Sequence, residues 1–175
     1  MFPKILVAMD STEVGKYVFE QALSLASSTE ASLMLLHVLS PYEAGYPENM
    51  PLSNPDTSED EVIRQYMEQL AVFKEQGLNL LRDRTNEAIA AGVNTQFTQQ
   101  PGTPGYVICD LARSWGADLI IIGHQSSPKV NELILGSVSN YVTHHTPCSI
   151  LVVHPQLPGG SKSDSGKSDI ANTLN

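Results

Sequence analysis

Residues 4–9 (KILVAM), 31–38 (ASLMLLHV), 118–122 (DLIII) and 148–153 (CSILVV) are nearly continuous in apolar side chains. Short unbroken runs of this kind predict strands buried on both faces of a sheet. Residues 93–98 (VNTQFT) alternate instead, which predicts a more exposed strand. Between these runs the period becomes helical. Val14, Val18, Ala22, Leu25 and Ala26 follow the small caps Ser11 and Thr12 and the early acid Glu13, predicting a helix to about Ser28. A second pattern runs Val62, Tyr66, Leu70, Phe73, Gly77, Leu81, Thr85, Ala88. A straight helix over that span would be roughly 45 Å long. Gly77 is the expected place for a bend, and Gly92 suits the closing cap.

Thr103 and Pro104 open a third helix, whose Val107, Ile108, Leu111 and Ala112 face the core and which ends at Trp115-Gly116. Residues 137–145 form a fourth, stopped by Pro147. Residues 40–60, with Pro41, Pro47, Pro51 and Pro55, read as a long loop. Residues 123–135 read as another, with a short helix near 131–135.

Strands that alternate with helices predict an α/β fold: an open five-stranded parallel sheet with helices on both faces. Ligands of such sheets bind beyond the carboxyl ends of the strands, where strand order reverses. The first strand is the natural reversal point. That places Asp10 beside the loop that follows Ile122.

The length of 175 residues suits one domain, expected over residues 1–155. Residues 156–175 are rich in Gly, Ser and Lys and are expected to be a disordered tail. No apolar run approaches the roughly 18 residues a membrane span needs. The start lacks the parts of a secretory signal, so a cytoplasmic protein is expected. The formal net charge of −9, with no basic stripe, argues against nucleic-acid or membrane partners. Cys109 and Cys148 stand alone, which argues against a disulfide framework or a zinc site and suits buried core positions. His37, His124, His154 and the pair His144-His145 share no metal spacing. His144 and His145 suit a helix C-terminus. His124 and Lys129 lie in the 123–135 loop, within reach of an anion there.

The richest constellation is Gly123-His124-Gln125-Ser126, nine residues, then Gly136-Ser137-Val138-Ser139. Gly123 lets backbone approach a ligand. Ser137, Val138 and Ser139 offer unpaired N–H groups at a helix N-terminus with the positive dipole end behind them. The two serines add hydroxyls. The set makes a phosphate cradle, although simple turns and a helix cap would use the same residues. No GxxxxGK[ST] is present, and no GxGxxG follows the first strand, which excludes a P-loop and a dinucleotide fingerprint. The third strand ends in Gln99-Gln100, where a phosphoacceptor domain needs a carboxylate.

The spacing Gly123-x2-Ser126-x9-Gly136-Ser137 resembles the G-x2-G-x9-G-[S/T] nucleotide motif of the universal stress protein family. KILVAMD, LLHV, ADLIIIG and GSVSNYVTHHTPCSILVV resemble the same family, so that residues 1–155 are covered. The resemblance implies a Rossmann-like five-stranded sheet, a homodimer through the last strand, and ATP or AMP as ligand, with Mg2+ as its candidate counter-ion. It implies that Asp10 contacts the ribose, that the backbone at Ala8 and Val38 meets the adenine, and that Gly123 lies beside ribose and phosphates. Ser126, Gly136, Ser137, Val138 and Ser139 match the phosphate loop. For Asp10 the residues alone equally allow a helix cap. Ser126 replaces the family's second glycine. It costs roughly 1 kcal/mol if positive φ is required there, and otherwise adds a hydroxyl for phosphate.

Three functions are then in play. The first is a dimeric stress and energy signalling module that binds adenine nucleotide. The second is a slow ATPase, which ranks lower because no poised base and nucleophile and no nearby arginine are visible. The third is a structural dimer that needs no nucleotide.

Overall fold

The computed structural model describes residues 2–47, 58–124 and 136–154. Along the chain come β1 (Lys4–Met9), α1 (Glu13–Thr29), β2 (Ser32–Leu39), α2 (Glu59–Ala90), β3 (Thr95–Pro101), α3 (Pro104–Trp115), β4 (Leu119–Gly123), α4 (Ser137–His145) and β5 (Ser149–Val153). The five strands are parallel, in the order β3-β2-β1-β4-β5. The chain begins at the centre, builds outward through β2 and β3, and returns to build β4 and β5 on the other side. Strand order therefore reverses between β1 and β4.

The apolar runs are continuous because both faces are covered. Ile5, Val7, Leu33, Leu35 and Ile121 pack with Val18, Phe19 and Ala22 of α1 and with Leu81 and Ala88 of α2. Leu6, Leu36 and Ile120 point the other way, onto Ile108 and Ala112 of α3 and Val142 of α4. Side chains alternate along a strand, so each strand serves two cores.

The helix ends follow local chemistry. The Thr12 side chain accepts from the Gly15 N–H and caps α1. Ser58 caps α2, and Glu59, Asp60 and Glu61 fill its first turn, where negative charge complements the helix dipole. Pro104 stands at the first position of α3, and Gly116 leaves it with φ +71°.

Three expectations are refined. Helix α2 runs continuously from Glu59 through Gly77 to Ala90. A Cβ at Gly77 would run into the side chains of His37 and Gln99, so the glycine lets α2 lie close on β2 and β3. The loop after β2 ends earlier than expected, because Glu59 and Asp60 are already helical. Strand β3 starts later and runs on to Pro101, since its register with β2 continues to the pair Leu39–Pro101. The expected helix at 131–135, Ser126, Lys129 and the tail 156–175 lie outside the described residues. Among the described residues no helix is long and apolar enough to cross a membrane.

Candidate functional site

A cleft of about 440 Å³ opens at the carboxyl ends of β2, β1 and β4. Small-molecule sites commonly have volumes of this order. Its floor is apolar: Ala8 from β1, Leu36 and Val38 from β2, Ile122 from β4 and Ile108 from α3. The strand residues are all at even positions, so they share the face that α3 and α4 cover.

The N-terminus of α4 forms one end. Gly136 is the N-cap, with φ −57° and ψ 158°, and has no side chain to satisfy the first turn. The leading N–H groups of a helix have no intrahelical acceptor. Those of Ser137, Val138 and Ser139 therefore begin a helix that borders the cleft with its positive dipole end. Ser139 is 3% exposed, and its hydroxyl donates to the Gly123 carbonyl at 3.3 Å. That bond fastens α4 to the end of β4. The Ser139 hydroxyl is thus a tether, where the sequence suggested a phosphate donor. Gly123 differs as well. A Cβ there would meet Val14 at 2.6 Å and Val18 at 3.0 Å, so the glycine is needed for packing against α1.

Asp10 borders the middle of the cleft, directly after β1. Its Oδ1 accepts from the Thr12 N–H at 3.0 Å and from the Thr12 hydroxyl. Thr12 in turn accepts from the Gly15 N–H at 3.2 Å. The cap of α1 is therefore Thr12, and Asp10 supports it from behind while also lining the cleft. The helix-cap and ligand-contact readings of Asp10 are compatible in one geometry.

The third wall follows β2 and is the part sequence reasoning missed. Ser40 is 2% exposed, and its Oγ accepts from the Tyr42 N–H at 3.2 Å. Its carbonyl accepts from the Glu43 N–H at 3.1 Å. Gln99 Nε2 donates both to the Lys74 carbonyl and to His37 Nδ1, each at 3.0 Å. The Lys74 carbonyl fixes the amide's orientation, so Nδ1 is the acceptor and His37 Nε2 carries the proton. Nε2–H then donates to Glu43 Oε1 at 2.9 Å. Tyr46 meets Phe73 of α2 edge-on at 5.3 Å between centroids. A histidine inside an otherwise apolar strand was the one available signal, because a buried polar group demands a partner.

Ala8, Asp10, Val38, Gly123, Gly136, Ser137, Val138 and Ser139 all line this one cleft. Ser126 lies outside the described residues. His124 is not among the lining residues. It is 3% exposed, its ring lies 4.6 Å from that of His154, and its N–H donates to the Val153 carbonyl at 2.8 Å. The described lining residues include no lysine or arginine, so among them attraction for an anion rests on backbone N–H groups and the dipole of α4. Among the described residues no group of three or more His, Cys, Asp or Glu is placed to hold a metal. Cys109 is buried and Cys148 half-buried. Burial pushes the Cys109 thiol up from its ordinary range, an effect that Arg113 partly offsets.

A doubly wound parallel sheet, with a ligand-sized cleft where its strand order reverses, defines an α/β domain of the small-molecule-binding kind. The chain belongs to the universal stress protein family, which it matches over residues 1–154. It is 31% identical to universal stress protein Sll1388 of Synechocystis over 159 residues, which cover 87% of this chain and 97% of that protein. Its fold is similar to that of a universal stress protein in complex with cAMP, with TM-score 0.60 and 21% identity over 87% of this chain and 97% of that one. It is also similar to a universal stress protein family protein from Arabidopsis thaliana with AMP bound, with TM-score 0.57 and 21% identity over 86% of this chain and 90% of that one.

Proposed function

We propose that this chain is a cytoplasmic, homodimeric stress-response module that binds ATP or AMP in the cleft between α4 and β2 and signals energy state. The observation that carries this reading is the N-terminus of α4, whose Gly136 cap has no side chain to fill it, opening onto the same cleft as Asp10. Backbone N–H groups without acceptors suit phosphate oxygens. A carboxylate suits ribose hydroxyls, to which it can only accept. The apolar floor suits a base. Ser137, Val138 and Ser139 with Gly136 would hold phosphate, Gly123 would lie beside it, and the backbone at Ala8 and Val38 would meet adenine. Ser126 belongs to the same motif. Family relatives whose structures hold cAMP and AMP support an adenine nucleotide as the ligand.

The homodimer reading is supported by β5. It is an outer strand of the sheet, with the apolar sequence SILVV, whereas the other outer strand, β3, reads TQFTQQP. An apolar edge invites pairing with a second copy. Isothermal calorimetry with ATP, ADP, AMP and cyclic nucleotides, with and without Mg2+, tests the nucleotide reading. Binding heat at micromolar ligand is expected. Its absence at high micromolar concentrations of all of them overturns the reading.

A further inference from the structure

The order of the strands also orders the ligand. The α4 N-terminus stands at the end of β4, Asp10 follows β1, and β2 lies on the far side of β1. Resting on the nucleotide reading above, phosphate, ribose and base would then run across β4, β1 and β2. The base would reach the wall built by the turn after β2.

Tyr42 stands in that turn. It lines the cleft, yet it is 89% exposed. Exposure of a lone tyrosine is common; the anchoring beneath this one is the distinguishing feature. Its own N–H is held by Ser40 Oγ, and the next residue is held twice, through the Glu43 N–H to the Ser40 carbonyl and through the Glu43 carboxylate to buried His37. The backbone under Tyr42 is therefore fixed, while its ring is left largely in solvent at the lip. Leu36 and Val38 form an aliphatic floor in the same cleft. An aromatic ring on one side and branched aliphatic side chains on the other make a slot for a flat heteroaromatic ring.

We propose that Tyr42 is the base clamp of this site, its ring turning about its side-chain torsions to stack on the outer face of a purine held against Leu36 and Val38. Every base has a π-face, so the clamp selects for nucleotides over bare polyphosphates and favours the larger overlap of purines. It does not distinguish adenine from guanine.

The test compares ATP with tripolyphosphate in calorimetry on the whole protein and on Tyr42→Ala and Tyr42→Trp. Tyr42→Ala is expected to weaken ATP about tenfold, in line with base–aromatic stacking elsewhere, and to leave the response to tripolyphosphate as in the parent protein. Tyr42→Trp is expected to keep ATP affinity, and its added emission should fall with ATP and hold steady with tripolyphosphate; the parent protein, with Trp115 alone, gives the baseline. ATP that binds Tyr42→Ala as tightly as the parent overturns the clamp and leaves the nucleotide reading standing. Emission from Tyr42→Trp that ATP does not move, while calorimetry shows ATP bound, overturns it too. A parent protein that binds no nucleotide overturns both. Circular dichroism on each variant checks that the fold is kept.

Discussion

Gly15 of α1 stands so close over Asp10 that a Cβ on the glycine would overlap both the carbonyl and the carboxylate of Asp10. The first turn of the helix and the acidic turn of the cleft are thus built against each other. Alanine is ordinarily better than glycine inside a helix by about 1 kcal/mol. Here the sign reverses. Gly15→Ala is expected to destabilise by about 1–3 kcal/mol, the usual cost of overpacking, and to displace the Asp10 carboxylate. Chemical denaturation gives the first quantity, and nucleotide calorimetry gives the second as a lost affinity. A variant as stable as the parent would contradict the contact.

Gly136→Asp separates ligand binding from stability. Aspartate is among the best N-cap residues, and glycine trails it by only a few tenths of a kcal/mol. The backbone at Gly136 is already extended and negative in φ, so a side chain fits its conformation. Stability should therefore hold or rise slightly. The new carboxylate would occupy the N–H groups of α4 and repel phosphate, so nucleotide affinity should fall about tenfold or more, the equivalent of about 1.4 kcal/mol. Thermal melting and calorimetry on one preparation check both signs. Unchanged nucleotide affinity would remove α4 from the site.

The fold class was legible because four strands are apolar runs, the third alternates, and each helix has its own period. Helix α4 was readable to its ends, since Gly136 and Pro147 mark them locally. That Gly136, Ser137, Val138 and Ser139 open this helix was legible for the same reason, and the structure brings them to the border of one cleft. What was hidden depends on contacts between distant positions. Gly77 looks like a hinge within its own helix, but the demand on it comes from His37 and Gln99 on neighbouring strands. Gly123 looks like a ligand-facing glycine, but Val14 and Val18 require it. The wall after β2 depends on Glu43 reaching His37, and on Gln99 and Lys74 fixing that imidazole. No spacing rule links those four residues.

Cys109 offers a pH-dependent check on the second core. Burial raises its thiol above the ordinary range in the folded chain. The folded state therefore releases that proton at higher pH than the unfolded state. Its contribution to stability is complete below the unfolded thiol's range and is lost as pH climbs toward the raised value. Denaturation midpoints should decline over that alkaline window, and less so in Cys109→Ala. Alkylation at mildly alkaline pH should label half-buried Cys148 first and Cys109 only on unfolding. Equal labelling rates in the native protein would show that the Cys109 thiol is not protected.

Leu151 tests the proposed dimer edge. It pairs in register with Ile121, which is fully buried beneath the helices, yet Leu151 itself is 42% exposed. The difference arises because β5 is an outer strand, so the helix cover that reaches β4 leaves Leu151 partly open. A leucine there is a liability on a lone chain and an asset if a second copy covers it. Leu151→Lys keeps strand β5 within the sheet, because a long lysine can hold its charge in solvent. It would place two like charges near each other across a paired edge. The parent should sediment as a dimer and the variant as a monomer, whose melting temperature should be independent of protein concentration. A variant that remains dimeric would move the interface away from this face of β5.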